Sequence, residues 1–156
     1  MRQQITLDSN PVILLIVGSA RRSFIKLHKK LTQYDAFDFD ILRAVMSKFS
    51  EIVLSPNVLT ETSNLALYVR EPIKSEVVTE LSRMILRMRE HVVPSRVAIA
   101  RPEYRRLGLT DAVLLEIASG GATLFTDDQA LYAAAWNAKL PALNVNHFRA
   151  QRPDLR

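Results

Sequence analysis

Cysteine is absent from the 156-residue chain, which excludes disulfides, thiolate nucleophiles and cysteine-ligated zinc. Glycine is scarce, at four residues, and the seven prolines are scattered. Collagen-like and low-complexity architectures are therefore out, and no segment reads as a linker. The longest purely aliphatic run, Val12 to Val17, is far short of a membrane span. It follows Asp8 and Pro11 without a basic leader or a small-residue cleavage site, so no membrane anchor and no signal peptide are expected. Where dinucleotide binding would want a glycine-rich first turn, the chain has Ser9-Asn10-Pro11.

What is present is ordinary globular material, 48% apolar and 24% charged. A chain of this length buries roughly 68–70% of its unfolded surface and needs no covalent staples. One domain over residues 1–156 is expected, with a reducing cytoplasm as its natural compartment. Lys and Arg number 21 against 16 Asp and Glu, a net +5. That balance favours polyanionic partners without proving one.

Hydrophobic periodicity divides the chain into alternating elements. Gln4-Ile5-Thr6-Leu7-Asp8 alternates like a strand, and Ser9 or Asn10 is placed to cap a helix with Pro11 in its first turn. Helical spacing runs over 36–50, 56–69, 73–91, 110–119 and 128–138. Short apolar runs at 52–54, 122–126 and 142–145 read as buried strands, with a further strand expected within 92–100. Strands separated by helices imply parallel pairing with right-handed crossovers, hence an open α/β sandwich. Ligands of such sheets bind at the carboxyl ends of the strands.

Acidic residues fall at those ends. Asp8 closes the first strand and Asp127-Asp128 closes the strand ending at Thr126. Glu61 lies in the helix after the second strand, near Val58, Leu65 and Tyr68 on a stripe expected to be buried. Asp111 opens a helix, where an N-terminal cap is the plainer role; one of Asp127 and Asp128 is likewise expected to cap. If the acids converge, two carboxylates about 5 Å apart repel by roughly 3 kcal/mol at an effective dielectric near 20. Such a cluster either holds protons or binds a hard divalent cation, Mg²⁺ or Mn²⁺ given oxygen ligands alone. That chemistry suits phosphodiester hydrolysis.

In order, the chain carries Leu7-Asp8-Ser9-Asn10, Leu59-Thr60-Glu61-Thr62-Ser63-Asn64-Leu65, Gly108-Leu109-Thr110-Asp111-Ala112, Leu124-Phe125-Thr126-Asp127-Asp128 and Asn144-Val145-Asn146-His147-Phe148. This ordered set, spanning nearly the whole chain, resembles the PIN-domain ribonucleases, including VapC-type toxins of toxin–antitoxin pairs. The resemblance implies a PIN-like three-layer sandwich, a central mostly parallel sheet flanked by helices. It also implies a Mg²⁺- or Mn²⁺-dependent single-strand RNA endonuclease with Asp8, Glu61, Asp111 and Asp128 as catalytic and metal-binding acids. Asn10, Thr126 and Asp127 take supporting positions. RNA, a cognate antitoxin and a homodimer are the implied partners. The segment from Phe24 to Asp40 matches no part of the pattern; its acids Asp35, Asp38 and Asp40 read as a solvated helix start.

Among the basic residues Arg21, Arg22, Lys26, Lys29, Lys30, Arg101, Arg105 and Arg106, Arg105 and Arg106 are the favoured RNA contacts because they lie just before Asp111. Tyr132 and Trp136 are expected in the core, and no catalytic role falls to His28, His91 or His147. The rival reading is a non-catalytic module of the same kind that binds RNA or protein, although such a module has no use for four mutually repelling acids.

Overall fold

A computed structural model describes residues 3–155; Met1, Arg2 and Arg156 lie outside it. Five strands form the sheet: β1 (Gln4–Leu7), β2 (Glu51–Leu54), β3 (Arg89–Glu90), β4 (Thr123–Thr126) and β5 (Ala142–Asn144). The principal helices are α1 (Ser9–Ala20), α2 (Ala36–Met46), α3 (Pro56–Ala66), α4 (Ile73–Arg87), α5 (Ser95–Ala98), α6 (Tyr104–Leu107), α7 (Leu109–Ser119), α8 (Gln129–Asn137) and α9 (Val145–Arg149). Every strand pair is parallel, in the order β3-β2-β1-β4-β5. The expected α/β three-layer sandwich is what forms, with helices on both faces.

Burial explains the layering. Ile5 and Leu7 of β1 and Leu124 and Phe125 of β4 are essentially inaccessible, because central strands of a parallel sheet are covered on both faces. Helix α1 buries nearly its whole circumference, including Pro11, Val12, Ile13, Leu14, Ile16 and Val17, and packs against α2, α3 and α4. On α7, Ala112, Val113 and Ile117 close a second apolar cluster with Val53, Val93, Ala98 and Ala122. Gly18 marks the tightest approach: a Cβ built there would enter the ring of Phe39, 2.6 Å from its Cγ.

Three expectations are corrected. No strand occupies 92–100; the chain there is loop and the short helix α5, while the edge strand is Arg89–Glu90, immediately after α4. Helix α4 stops at Arg87 rather than continuing to His91 because Met88 turns extended and Arg89 and Glu90 pair with Val53 and Leu54. Trp136 is not in the core but 69% exposed, and Tyr132 is only half-buried.

A further correction concerns Asp35, Asp38 and Asp40. Asp35 and Asp38 form a reciprocal capping box at the start of α2, but Asp38 is buried. It accepts from Arg149 Nε at 3.0 Å and Arg152 Nη1 at 2.9 Å. Arg152, itself buried, also reaches Asp35 and Asp154. The two arginines come from the far end of the chain, so sequence spacing gave no sign of these ion pairs. Asp35 and Asp40 are exposed as expected, Asp40 paired with Arg22, so the correction falls on Asp38.

Candidate active site

The strand order reverses direction at β1: the chain leaves toward β2 and β3 on one side and returns to β4 and β5 on the other. A crevice opens at the carboxyl ends of β1 and β4, the switch point of an open parallel sheet. Asp8 stands there, its backbone N–H still bonded to Phe125 O at 3.0 Å. One carboxylate oxygen accepts from Ser9 N at 2.7 Å, the other from Thr126 Oγ1 at 2.8 Å. The N-cap of α1 is thus Asp8 itself, not Ser9 or Asn10.

Thr126 is fully buried and accepts from Asp128 N at 3.0 Å, so one hydroxyl couples the loop after β4 to Asp8. Asp128 caps α8, accepting from Leu131 N at 3.0 Å. Asp127 faces the other way and collects donors: Asn10 Nδ2 at 3.0 Å, Gln33 Nε2 at 3.2 Å and the Tyr34 hydroxyl. Burial, with the Asp127 charge beside it, pushes the Tyr34 phenol above its ordinary value. Of the two adjacent acids, the supporting one is therefore the more heavily hydrogen-bonded.

Glu61 is exposed, not buried as the stripe on its helix suggested. The buried line of α3 runs through Val58, Leu59, Thr62 and Ala66, with Tyr68 beyond the helix end and exposed. What holds Glu61 is Ser9 Oγ, donating at 2.5 Å. Asp111 is the third residue of α7 but does not cap it; Gly108 holds that position, with φ of 92°. No side-chain donor reaches Asp111 among the described residues.

These acids share one open cleft of about 520 Å³, lined by Asp8, Glu61, Asp111, Asp127 and Asp128 with Ser9, Asn10, Asn64 and Leu65. Burial pushes the Asp8 carboxyl up to about 6, with Asp127 and Glu61 adding to the rise against the bonds from Thr126 and Ser9. Burial also pushes Asp111 up to about 7, reinforced by the charges of Asp8, Asp128 and Glu61. The cleft thus stores repulsion that protons or a divalent cation relieve. Among the described residues no three acidic or imidazole groups form a ready metal-binding group. The fit is to an ion that keeps several waters and needs only one or two carboxylates, as Mg²⁺ does.

Ser9, Gln33, Tyr34 and Asn64 escaped the sequence reading as site residues. Ser9 alone had a signal, its place beside Asp8; Gln33 and Tyr34 meet a partner more than 90 positions away. Of the basic candidates, Arg21, Arg22 and Arg101 are engaged by Glu76, Asp40, and Glu103 with Glu116. Arg105 and Arg106 are exposed on α6, one short turn before α7 and Asp111. Among the described residues no helix is long and apolar enough to cross a membrane.

No protein-family model matches the chain, and no curated protein matches it. Among solved structures it is similar to that of PAE2754 from Pyrobaculum aerophilum. The TM-score is 0.57 at 15% identity over 95% of this chain and 93% of that one. A second similarity, with TM-score 0.46 and 16% identity over 91% of this chain and 90% of that one, is to a domain of a functionally unknown protein from Methanocaldococcus jannaschii. At 15% identity the first likeness speaks to the fold alone, shared over nearly the whole of both chains.

Proposed function

We propose that the protein is a Mg²⁺- or Mn²⁺-dependent endonuclease of single-stranded RNA, acting in the cytoplasm as the toxin of a toxin–antitoxin pair. One observation carries the nuclease reading. Asp8, Glu61, Asp111 and Asp128, from four separate segments, line one cleft at the switch point of the sheet. The toxin assignment rests on the resemblance of the ordered motifs to VapC-type proteins.

Asp8 and Asp111, whose carboxyls are pushed up, would hold the ion, with Glu61 and Asp128 at the margins of the cleft accepting from its waters. A bound divalent cation there would supply Lewis acidity toward a phosphoryl oxygen and a more acidic water. The chain's own groups prepare this. Thr126 and Ser9 N–H fix the two oxygens of Asp8, Ser9 Oγ orients Glu61, and Asn10 restrains Asp127. Without a cation, Asp111 holds its proton near neutral pH and a substrate phosphate meets an unfavourable field.

The test is cleavage of a mixed single-stranded RNA pool with and without Mn²⁺, comparing wild type with Asp8→Asn and Asp111→Asn. Wild type should cut only with the metal, and each variant should lose at least about a hundredfold, in keeping with the loss of a group that orders the reacting centre. Equal cleavage by the variants sinks the assignment. RNA bound but never cut would instead favour a binding module.

A further inference from the structure

Helix α8 starts at the cleft, where Asp128 caps it, and carries aromatic rings away from it. Tyr132, one turn on, is half-buried; Trp136, a further turn on, is 69% exposed. Their ring centroids lie 6.4 Å apart at 35°. His147, exposed on α9, meets the edge of Tyr132 at 5.1 Å and 84°. The preceding Asn146 donates to the Asp127 carbonyl at 3.2 Å, so α9 is tied to the same rim. Eight residues of helix place Trp136 about 12 Å from Asp128 along the axis.

An indole this exposed leaves a large apolar face in water that folding does not use. Its neighbours do not make a protein-docking patch: Asn137 and Lys139 are exposed beside it and Gln129 lies two turns back on the same helix side. Lys139 N–H bonds to the Trp136 carbonyl at 2.9 Å, bringing a cationic residue to the same helix end. A row of aromatic rings with a cation at its far end, on a helix that starts at the acidic cleft, matches unstacked bases on a polyanionic backbone.

We propose that Trp136, with Tyr132 and His147 behind it, is a stacking subsite for a base of single-stranded nucleic acid lying a few nucleotides from the phosphate in the acidic cleft. The proposal deepens the nuclease reading and rests on it for the position of that phosphate. Stacking on a ring face reads neither base identity nor the 2′-hydroxyl, so the subsite contributes affinity and a preference for unpaired strands. A duplex, whose bases are already stacked, gains nothing from it.

Trp136 is the chain's one tryptophan, so its emission reports on the subsite directly. The experiment mixes the full chain rapidly, in Mn²⁺, with short uniform-sequence RNA, the matching DNA strand and a duplex of the same length, and reads emission before the strands are cut. Both single strands should quench the emission saturably and the duplex should not. Trp136→Ala should bind single strands about tenfold more weakly, and Trp136→Phe should recover most of the loss while melting at the same temperature as wild type. Unchanged emission at saturation, or equal affinity of Trp136→Ala and wild type, overturns the subsite. A dimer that Trp136→Ala dissociates on size exclusion overturns it as well, since a second copy would then cover the ring. Parallel cleavage assays with Mn²⁺ separate the two readings. Quenching without cleavage supports the subsite and removes the nuclease, whereas cleavage without quenching does the reverse.

Discussion

Replacing Asp111 by Asn removes the cost of an ionised carboxyl in the cleft, burial first and repulsion from Asp8, Asp128 and Glu61 after it, because the side chain accepts no hydrogen bond among the described residues and Asn preserves its shape. Raising a carboxyl from 3.8 to about 7 corresponds to about 4 kcal/mol against folding once the group is ionised. Asp111 is only half-buried, and solvent screening reduces that to about 2 kcal/mol. Its place in the first turn of α7 returns about 0.3–1 kcal/mol to the charged form through the helix dipole. Asp111→Asn is therefore expected to gain about 1–1.5 kcal/mol, or about 2–6 °C in melting temperature for a domain of this size. The sign follows from linkage. The folded state binds the Asp111 proton more tightly than the unfolded chain, so the penalty is absent below pH 3.8. It grows between 3.8 and about 7 and is complete above that. Urea denaturation in chelator at about pH 8 and about pH 4 measures the difference. A variant no more stable than wild type at the higher pH, or equally advantaged at both, would refute the claim that ionised acids strain this cleft.

The same strain predicts a response to metal. Mn²⁺ at about a hundred times its dissociation constant should stabilise wild type by about 2.7 kcal/mol, and Asp8→Asn should lose most of that shift in a thermal melt; equal shifts in the two proteins would rule out Asp8 as a ligand. Gly18→Ala should destabilise by about 1–3 kcal/mol through overpacking against Phe39, read as an earlier urea midpoint with unchanged slope; a neutral result would mean that α1 and α2 move apart freely. Asp38→Asn should cost about 3 kcal/mol, the lower end for breaking a buried ion pair, because Arg152 keeps Asp35 and Asp154. A cost near zero would show those arginines to be solvated.

Local signals carried the architecture a long way. The helix expected over 56–69 forms over Pro56–Ala66, with Pro56 at its first position and Ser55 capping it through Val58 N. The β-branched run Ile52-Val53-Leu54 announced a buried strand. Local signals misled where a residue's fate depended on a distant partner. Trp136 shares its helix with buried Leu131, Ala134 and Ala135, yet points outward because α8 offers the sheet only one side. Edge strand Arg89–Glu90 has no pattern of its own, and forms because β2 presents an unpaired edge.

The same division runs through the site. By itself the sequence determined where the acids fall along the chain, Asp8 and Asp127-Asp128 at strand ends, Asp111 in a first helical turn and Glu61 within a helix, because those positions follow from periodicity and turn chemistry within a few residues. Only the tertiary structure decided that β1 and β4 lie side by side, although 118 positions separate Ile5 from its partner Thr123. It also decided that Ser9 rather than burial holds Glu61, and that Asp127 is gripped by a loop from the other end of the chain. Charge repulsion and hydrogen bonding act through space, and contour distance along a polypeptide fixes neither.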